Sequence, residues 1–260
     1  MTLQQWIKSP KGYVAIAMVA YLVIASMATF DIKGITHGLV AVGGAIVADV
    51  LFSLVNRKKR MLPDGALITG LIVALILSTS TSWVVVVATV ILAIVSKYVL
   101  VYRKKPIFNP AAMGLLFSVL IFGAGESWWG SFGDLPVWMM VLLFAGGYAI
   151  TGRVNKFPQV FSFLGTYFVL LLLMGLFHTG DAGDALRTPF INAILFCGFF
   201  MVTDLPTSPA KTKDQLIFGI LAAIVGALIY GLFGGLMYLF IGLLCANLYH
   251  FLRTRFAIFL

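Results

Sequence analysis

The chain has 260 residues, 61% of them hydrophobic and only 10% charged, with a mean hydropathy of +1.05. Soluble domains carry about 25% charged residues, so the composition excludes a soluble globular domain and implies an integral membrane protein. The net charge of +9 is spread over alternate loops, which excludes nucleic acid as the partner and points to the lipid bilayer.

Apolar runs near the length of one bilayer crossing, about 20 residues, recur along the chain at 12–30, 35–55, 65–82, 83–101, 107–123, 136–151, 160–178, 188–205, 214–230 and 233–251. They predict an all-α integral membrane protein of about ten transmembrane helices, with residues 1–260 forming a single membrane domain. The runs are continuous rather than alternating with period two, which excludes a barrel.

The first run contains Ser26-Met27-Ala28, which resembles a signal-peptide cleavage site. Losing it would spoil the alternation of charged loops, so it reads as a retained helix. The second run holds Asp49. Intramembrane carboxylates are costly and usually functional, so Asp49 is either a proton or ion relay or a solvated or Lys-paired group near the helix end. The third run is among the shortest and ends GLIVALILSTSTS (70–82), placing Thr79 and Ser80 in a hydroxyl-rich tail. In the fourth, Lys97 either snorkels to the interface or joins the relay. The fifth opens with Asn109-Pro110, a cap and first-turn proline whose Asn is also a candidate ligand-binding group. Trp128, Trp129 and Trp138 fall where interfacial aromatics sit, or, with Glu126, at a docking face.

The eighth run stops abruptly in FFMVTDLPTSPAK (199–211). Pro206 and Pro209 prevent the helix from re-forming. An unwound end at membrane depth needs partners for its backbone groups, which Thr203, Asp204, Thr207 and Ser208 can supply while also holding a ligand. The alternative is a plain cap with Asp204 in a local turn. Gly231 and Gly235 form a G-x-x-x-G suited to close helix packing. Cys197 and Cys245 read as small buried residues, and His37, His178 and His250 as interfacial groups at helix ends. No nucleophile–base pair, metal constellation or phosphate loop is present, which leaves hydrolase and kinase chemistry without residues to carry it.

Lys8 and Lys11, Arg57-Lys58-Lys59-Arg60, Arg103-Lys104-Lys105, Arg153 and Lys156, Lys211 and Lys213, and Arg253 and Arg255 occupy every second loop. The other loops hold Lys33 and Arg187 against Asp31, Glu126, Asp134, Asp181 and Asp184. By the positive-inside rule both termini are expected on the cytoplasmic side of the cytoplasmic membrane.

The tails of runs three and eight align, Gly70 with Gly198, Leu77 with Leu205, Thr79 with Thr207 and Ser80 with Ser208. Each run is third in a set of five. Five is odd, so the second set lies inverted, with repeats over roughly 12–123 and 136–251. Interrupted helices at matching positions of inverted repeats point to a binding site between the halves.

LPDGALITGLIVALIL (62–77), IFNPAAMG (107–114) and FFMVTDLPTSP (199–209) together resemble the family of membrane subunits shared by the Rnf electron-transport complex and the sodium-pumping NADH:quinone reductase. The resemblance implies a urea-transporter-like inverted-repeat fold, a bound flavin, and electron passage across the membrane linked to ion movement. Asn109 and Pro110 match the family's FNP; Thr203, Asp204, Pro206, Thr207, Ser208 and Pro209 match its second motif; Asp64, Thr69 and Gly70 match the start of its third helix, and Lys97 a common lysine. It implies cofactor contacts at Asn109, Pro110, Thr203, Asp204, Thr207, Ser208 and Thr69; the internal repeat adds Thr79 and Ser80 as their outer counterparts, and Asp49, Asp64 and Lys97 are the candidates for an ion or proton relay. Implied partners are other electron-transport subunits or an extracytoplasmic flavoprotein.

Two departures qualify this. The S-G-A-T flavin-attachment motif is absent, and the corresponding loop GAGESWWGSFGDLP (123–136) has no threonine, so riboflavin or FMN is expected to bind non-covalently. The stretch before FNPA is VYRKKP (101–106), basic rather than glycine-rich. The alternative reading is a transporter for a small neutral solute or for the flavin itself.

Overall fold

The computed structural model describes residues 3–56, 63–179 and 182–256. The basic run Arg57–Arg60 and Asp181 lie outside the described residues. Short polar residues and prolines set the helix starts. After α1 (Leu3–Ile7), Ser9 caps α2 (Pro10–Ala28) by accepting from the Gly12 amide, and Asp31 caps α3 (Ile32–Val55) through Lys33. Next come α4 (Asp64–Ile76), α5 (Trp83–Val99, capped by Ser82) and α6 (Pro110–Phe122, capped by Asn109). The second half comprises α7 (Met140–Val154), α8 (Phe157–Leu176), the short α9 (Ala182–Ala185), α10 (Thr188–Phe196), α11 (Thr212–Phe233) and α12 (Tyr238–Phe256).

Among the described residues, five segments, Pro10–Ala28, Ile32–Val55, Val137–Val154, Phe157–Leu176 and Thr212–Phe233, are long and apolar enough to cross a bilayer, and shorter apolar helices pack among them. This is an all-α, multi-pass membrane protein. Three packing pairs recur in the two halves, α3 on α5 and α8 on α11, α5 on α6 and α11 on α12, α2 on α4 and α7 on α10, whereas the close packing of α3 on α4 has no equal between α8 and α10.

The short runs are not helical throughout. Helix α4 has 13 residues and rises about 20 Å, short of the roughly 30 Å hydrocarbon core. Beyond Ile76 the chain extends: Leu77 bridges Glu126, the Ser78 amide donates to the Gly125 carbonyl (3.0 Å), and the Ser127 and Trp128 amides both donate to the Ile76 carbonyl. Helix α10 widens into a π-helical turn at Cys197–Met201 and then unwinds into turns. Such turns are concentrated at functional sites.

Two sequence expectations are corrected here. Trp128 is 1% exposed and stacks on Phe240 at 5.4 Å, while Trp129 donates its indole N–H to the Ala74 carbonyl (2.8 Å). Both plug the end of α4 and cannot form a docking face; Trp138, 65% exposed, keeps the interfacial role. Gly231 and Gly235 do not share a helix face, because α11 ends at Phe233 and Gly235 takes a left-handed φ of 70°.

Small residues let the short helices approach closely. A Cβ on Gly114 would lie 2.7 Å from the Thr89 carbonyl oxygen of α5, whereas Gly43 of α3 has nothing within 4 Å. Gly114→Val is therefore expected to destabilise the protein by about 1–3 kcal/mol through overpacking, and Gly43→Ala to leave it unharmed. Thermal unfolding midpoints in detergent check this contrast.

Candidate functional site

The unwound end of α10 is held by side chains from four other helices and one connecting loop. Met201, Val202, Thr207 and Ala210 expose carbonyls, which accept from Asn109 Nδ2 (3.3 Å), Gln159 Nε2 (2.8 Å), Asn247 Nδ2 (3.1 Å) and Gln215 Nε2 (2.9 Å) respectively. Lys156, 2% exposed in the α7–α8 connection, donates to Ser208 Oγ (2.9 Å) and to the Pro209 carbonyl. Burial pushes its amine down to about 8, with the Asp204 carboxylate opposing that shift. The loop's own hydroxyls are engaged locally: Thr203 donates to the Phe199 carbonyl (2.6 Å), Thr207 to Asp204 Oδ2 (2.7 Å) and Ser208 to the Asp204 carbonyl (2.6 Å).

Beside this turn lies a cavity of about 860 Å³ that opens at the basic end of the molecule. Three helices begin at its edge, α2 at Pro10, α4 at Asp64 and α6 at Pro110, while the turn at Thr203–Pro206 closes the opposite side. Ile68, Ile72, Ile150 and Phe200 supply apolar wall; Asn109, Thr69 and Asp204 supply polar groups. Two ion pairs line it. Lys97 Nζ lies 2.7 Å from Asp49 Oδ1, to which Tyr98 also donates (3.1 Å), and Lys11 Nζ lies 3.0 Å from Asp64 Oδ1.

The cavity thus gathers Asn109, Pro110, Thr203, Asp204, Thr69, Asp49, Asp64 and Lys97 from distant parts of the sequence. Thr207 and Ser208 do not line it; the Thr207 hydroxyl holds the Asp204 carboxylate while its carbonyl accepts from Asn247, and Ser208 meets Lys156. Thr79 and Ser80 lie at the far end of α4 in an exposed turn, where Ser80 Oγ is 2.7 Å from Ser78 Oγ. Asn109 is chiefly structural. Its Oδ1 accepts from the Ala112 amide (3.0 Å), and its backbone amide donates to Asn247 Oδ1 (2.9 Å), so it clamps α6 to α12 as well as to α10.

Sequence pattern alone does not single out Lys156, Gln159 and Asn247 as parts of a site. Lys156 looks like one more topogenic loop charge. The usable signal was an isolated amide in an apolar run, as in GLLCANLYH (242–250), because a lone Asn there needs a buried partner.

At the opposite end, Glu126 is half-buried beside the end of α4 and accepts from Trp128 Nε1 (3.0 Å). Burial pushes its carboxyl up to about 7, against the pull of that hydrogen bond.

A family model, the NQR2, RnfD, RnfE family, matches residues 4–137 and 126–241. No curated protein matches the chain.

Removing the Lys156 amine strands a buried carbonyl, a loss worth about 1–3 kcal/mol. Lys156→Met is expected to speed amide exchange across 202–211 by about tenfold or more while leaving the middle of α8 unchanged. Hydrogen-exchange mass spectrometry checks both.

Proposed function

The chain belongs to the NQR2, RnfD, RnfE family, and from that premise we propose that it is a flavin-binding membrane subunit conducting electrons across the cytoplasmic membrane. The observation that carries the reading is the meeting of the FNPA start of α6, the start of α4 and the TDLP turn around one cavity. Ligand pockets span about 300–1,000 Å³ and are mostly apolar with a few placed polar groups, and this cavity fits a planar ring system in both respects. Phe200 and Ile72 would pack the ring; Thr69, Thr203, Asp204 and the remaining capacity of Asn109 would meet its polar edge. Binding is non-covalent, since the outer loop offers no threonine for attachment. The flavin supplies the redox chemistry and the protein its position and electrostatics.

The chain's own groups do the rest. The apolar wall keeps water from the ring. The Asp49–Lys97 and Asp64–Lys11 pairs border the cavity and provide the sites at which a proton or cation is held as its charge changes. The architecture we propose is ten spans in one domain, as inverted repeats of about 12–123 and 136–251 in a urea-transporter-like fold. Both termini and the basic end would face the cytoplasm. The three recurring packing pairs and the shortened α4 and α10 support it. Other electron-transport subunits or an extracytoplasmic flavoprotein would supply donor and acceptor.

Flavin-loaded proteoliposomes test this reading. The bound flavin is expected to be reduced from one face and reoxidised by ferricyanide at the other, and Asp204→Ala to lower this flow by about tenfold or more by unseating the turn. Flux of labelled riboflavin without electron transfer would instead establish a transporter. Indifference of both to Asp204→Ala would mean a scaffold.

A further inference from the structure

We propose that the 123–136 loop is a releasable plug, latched by Glu126, in the end of the molecule opposite the cavity mouth. The inference does not depend on the flavin reading.

The plug fills the place where the second half would repeat the cavity. The shift that aligns Gly70 with Gly198 also sets Pro110, the first residue of α6, on Tyr238, the first of α12. It sets the cavity-lining Ile68 and Thr69 on Phe196 and Cys197. Where Ile68 borders open space, Phe196 meets the Trp128 ring edge-on at 6.1 Å, and Phe240 of α12 stacks on that ring at 5.4 Å. Phe132 seats edge-on against Tyr21 of α2 at 5.2 Å, and Gly130 lies so close to α4 that an added Cβ would strike Leu75. Phe196 in turn packs on Phe200 at 4.9 Å, and Phe200 is cavity wall. Two rings therefore stand between the plug and the cavity.

Three features set this loop apart from settled core. Trp128 and Phe132 hold a left-handed backbone, with φ of 51° and 63°, which bulky side chains adopt only when their surroundings force it. Ser26 Oγ, Ser127 Oγ and Asn192 Oδ1 are buried with no hydrogen-bond partner among the described residues. All three border the plug: Ser26 shares with Trp129 the space over Gly34, and Asn192 Nδ2 donates to the Ser131 carbonyl (2.9 Å). Seating the loop thus leaves polar groups unsatisfied. The third feature is an acid at its root, since Glu126 bridges Leu77 and accepts from Trp128 Nε1 (3.0 Å).

Glu126 is the latch because its charge is disfavoured only while the plug is seated. Burial raises its carboxyl to about 7, and the Trp128 hydrogen bond opposes that rise. Of the helices packed around the loop, α2, α4 and α12 carry Lys11, Asp64, His250, Arg253 and Arg255 towards their far ends, and α10 carries no charged residue. Behind the plug the titratable side chains are Tyr21, Cys197 and Tyr238. Among the described residues, Asp31, Lys33 and His37 at the start of α3, Asp134 in the loop and Arg187 before α10 are the other groups at this end, and none contributes to the shift. Released, the carboxyl returns to the ordinary glutamate range, so a proton binds the seated state more tightly. Acid therefore holds the plug in place. Seating is fullest below the ordinary glutamate range and weakens as pH rises to about 7, by up to about tenfold per pH unit.

Hydrogen-exchange mass spectrometry on the full chain in phosphatidylcholine nanodiscs tests this, with rates corrected for the intrinsic effect of pH. The Ser127 and Trp128 amides, which donate to the Ile76 carbonyl, report the seated state. Their protection is expected to fall on the order of fiftyfold between pH 5 and pH 8, while that of α8 stays constant. Glu126→Gln, which cannot ionise, should keep the acid level of protection at both pH values. Trp128→Phe removes the bond that opposes the shift, so its loss of protection should extend to higher pH. A ring that served packing alone would lower protection without moving that range. Protection that does not vary with pH in the unsubstituted protein, or a variation that survives in Glu126→Gln, would overturn the latch. A loss shared equally by α8 would overturn it too, as unfolding of the whole chain.

Discussion

A backbone carbonyl buried inside a protein has no water to fall back on, and leaving one unpaired costs about 1–3 kcal/mol. Helix α10 breaks at Met201, so the turns that follow must find donors inside the protein. They find them in Asn109, Gln159, Asn247, Gln215 and Lys156, drawn from α6, α8, α12, α11 and the α7–α8 connection. The same bonds that satisfy the break also lock these elements to one another. Among the described residues, every buried amide side chain except Asn192 serves this break.

The cavity lies beside the break, lined by the starts of α4 and α6 and by the Thr203–Pro206 turn. Because α10 arrives from the opposite direction to α4, the cavity is bordered by helix starts on one side and a helix end on the other. It is therefore electrically asymmetric before any side chain is counted. Paired acids and lysines along its wall temper that field without cancelling it. Transporter sites built from discontinuous helices use the same physics. At the far end of α4 the extended chain from Leu77 is satisfied by pairing with the 125–128 loop and is sealed by Trp128 and Trp129. The two breaks thus differ: one frames a cavity, the other is plugged.

Much of this was legible in the sequence. Continuous apolar runs located the helices, and prolines beside hydroxyls located the break after Val202. The likeness of 70–82 to 198–210 marked the two shortened helices. What could not be read is which partner each polar group takes. Thr207 and Ser208 sit in the motif beside Thr203 and Asp204, yet neither lines the cavity: Thr207 supports Asp204 from behind, and Ser208 turns towards Lys156. Thr79 and Ser80 align with them in sequence but occupy an exposed turn, because that end of the fold is closed by tryptophans. Lys156 was invisible among topogenic charges, since a count of loop lysines treats a solvated and a fully buried amine alike.

A flavin held without a covalent bond is the central claim, and the absorption of the purified protein between 350 and 500 nm, before and after acid denaturation and filtration, tests it most directly. The expected result is a flavin spectrum, present on purification or after adding riboflavin or FMN, that passes the filter once the chain unfolds. Colour retained on the denatured chain would contradict non-covalent binding. A colourless protein that stays colourless after either flavin is added would contradict the flavin reading as a whole.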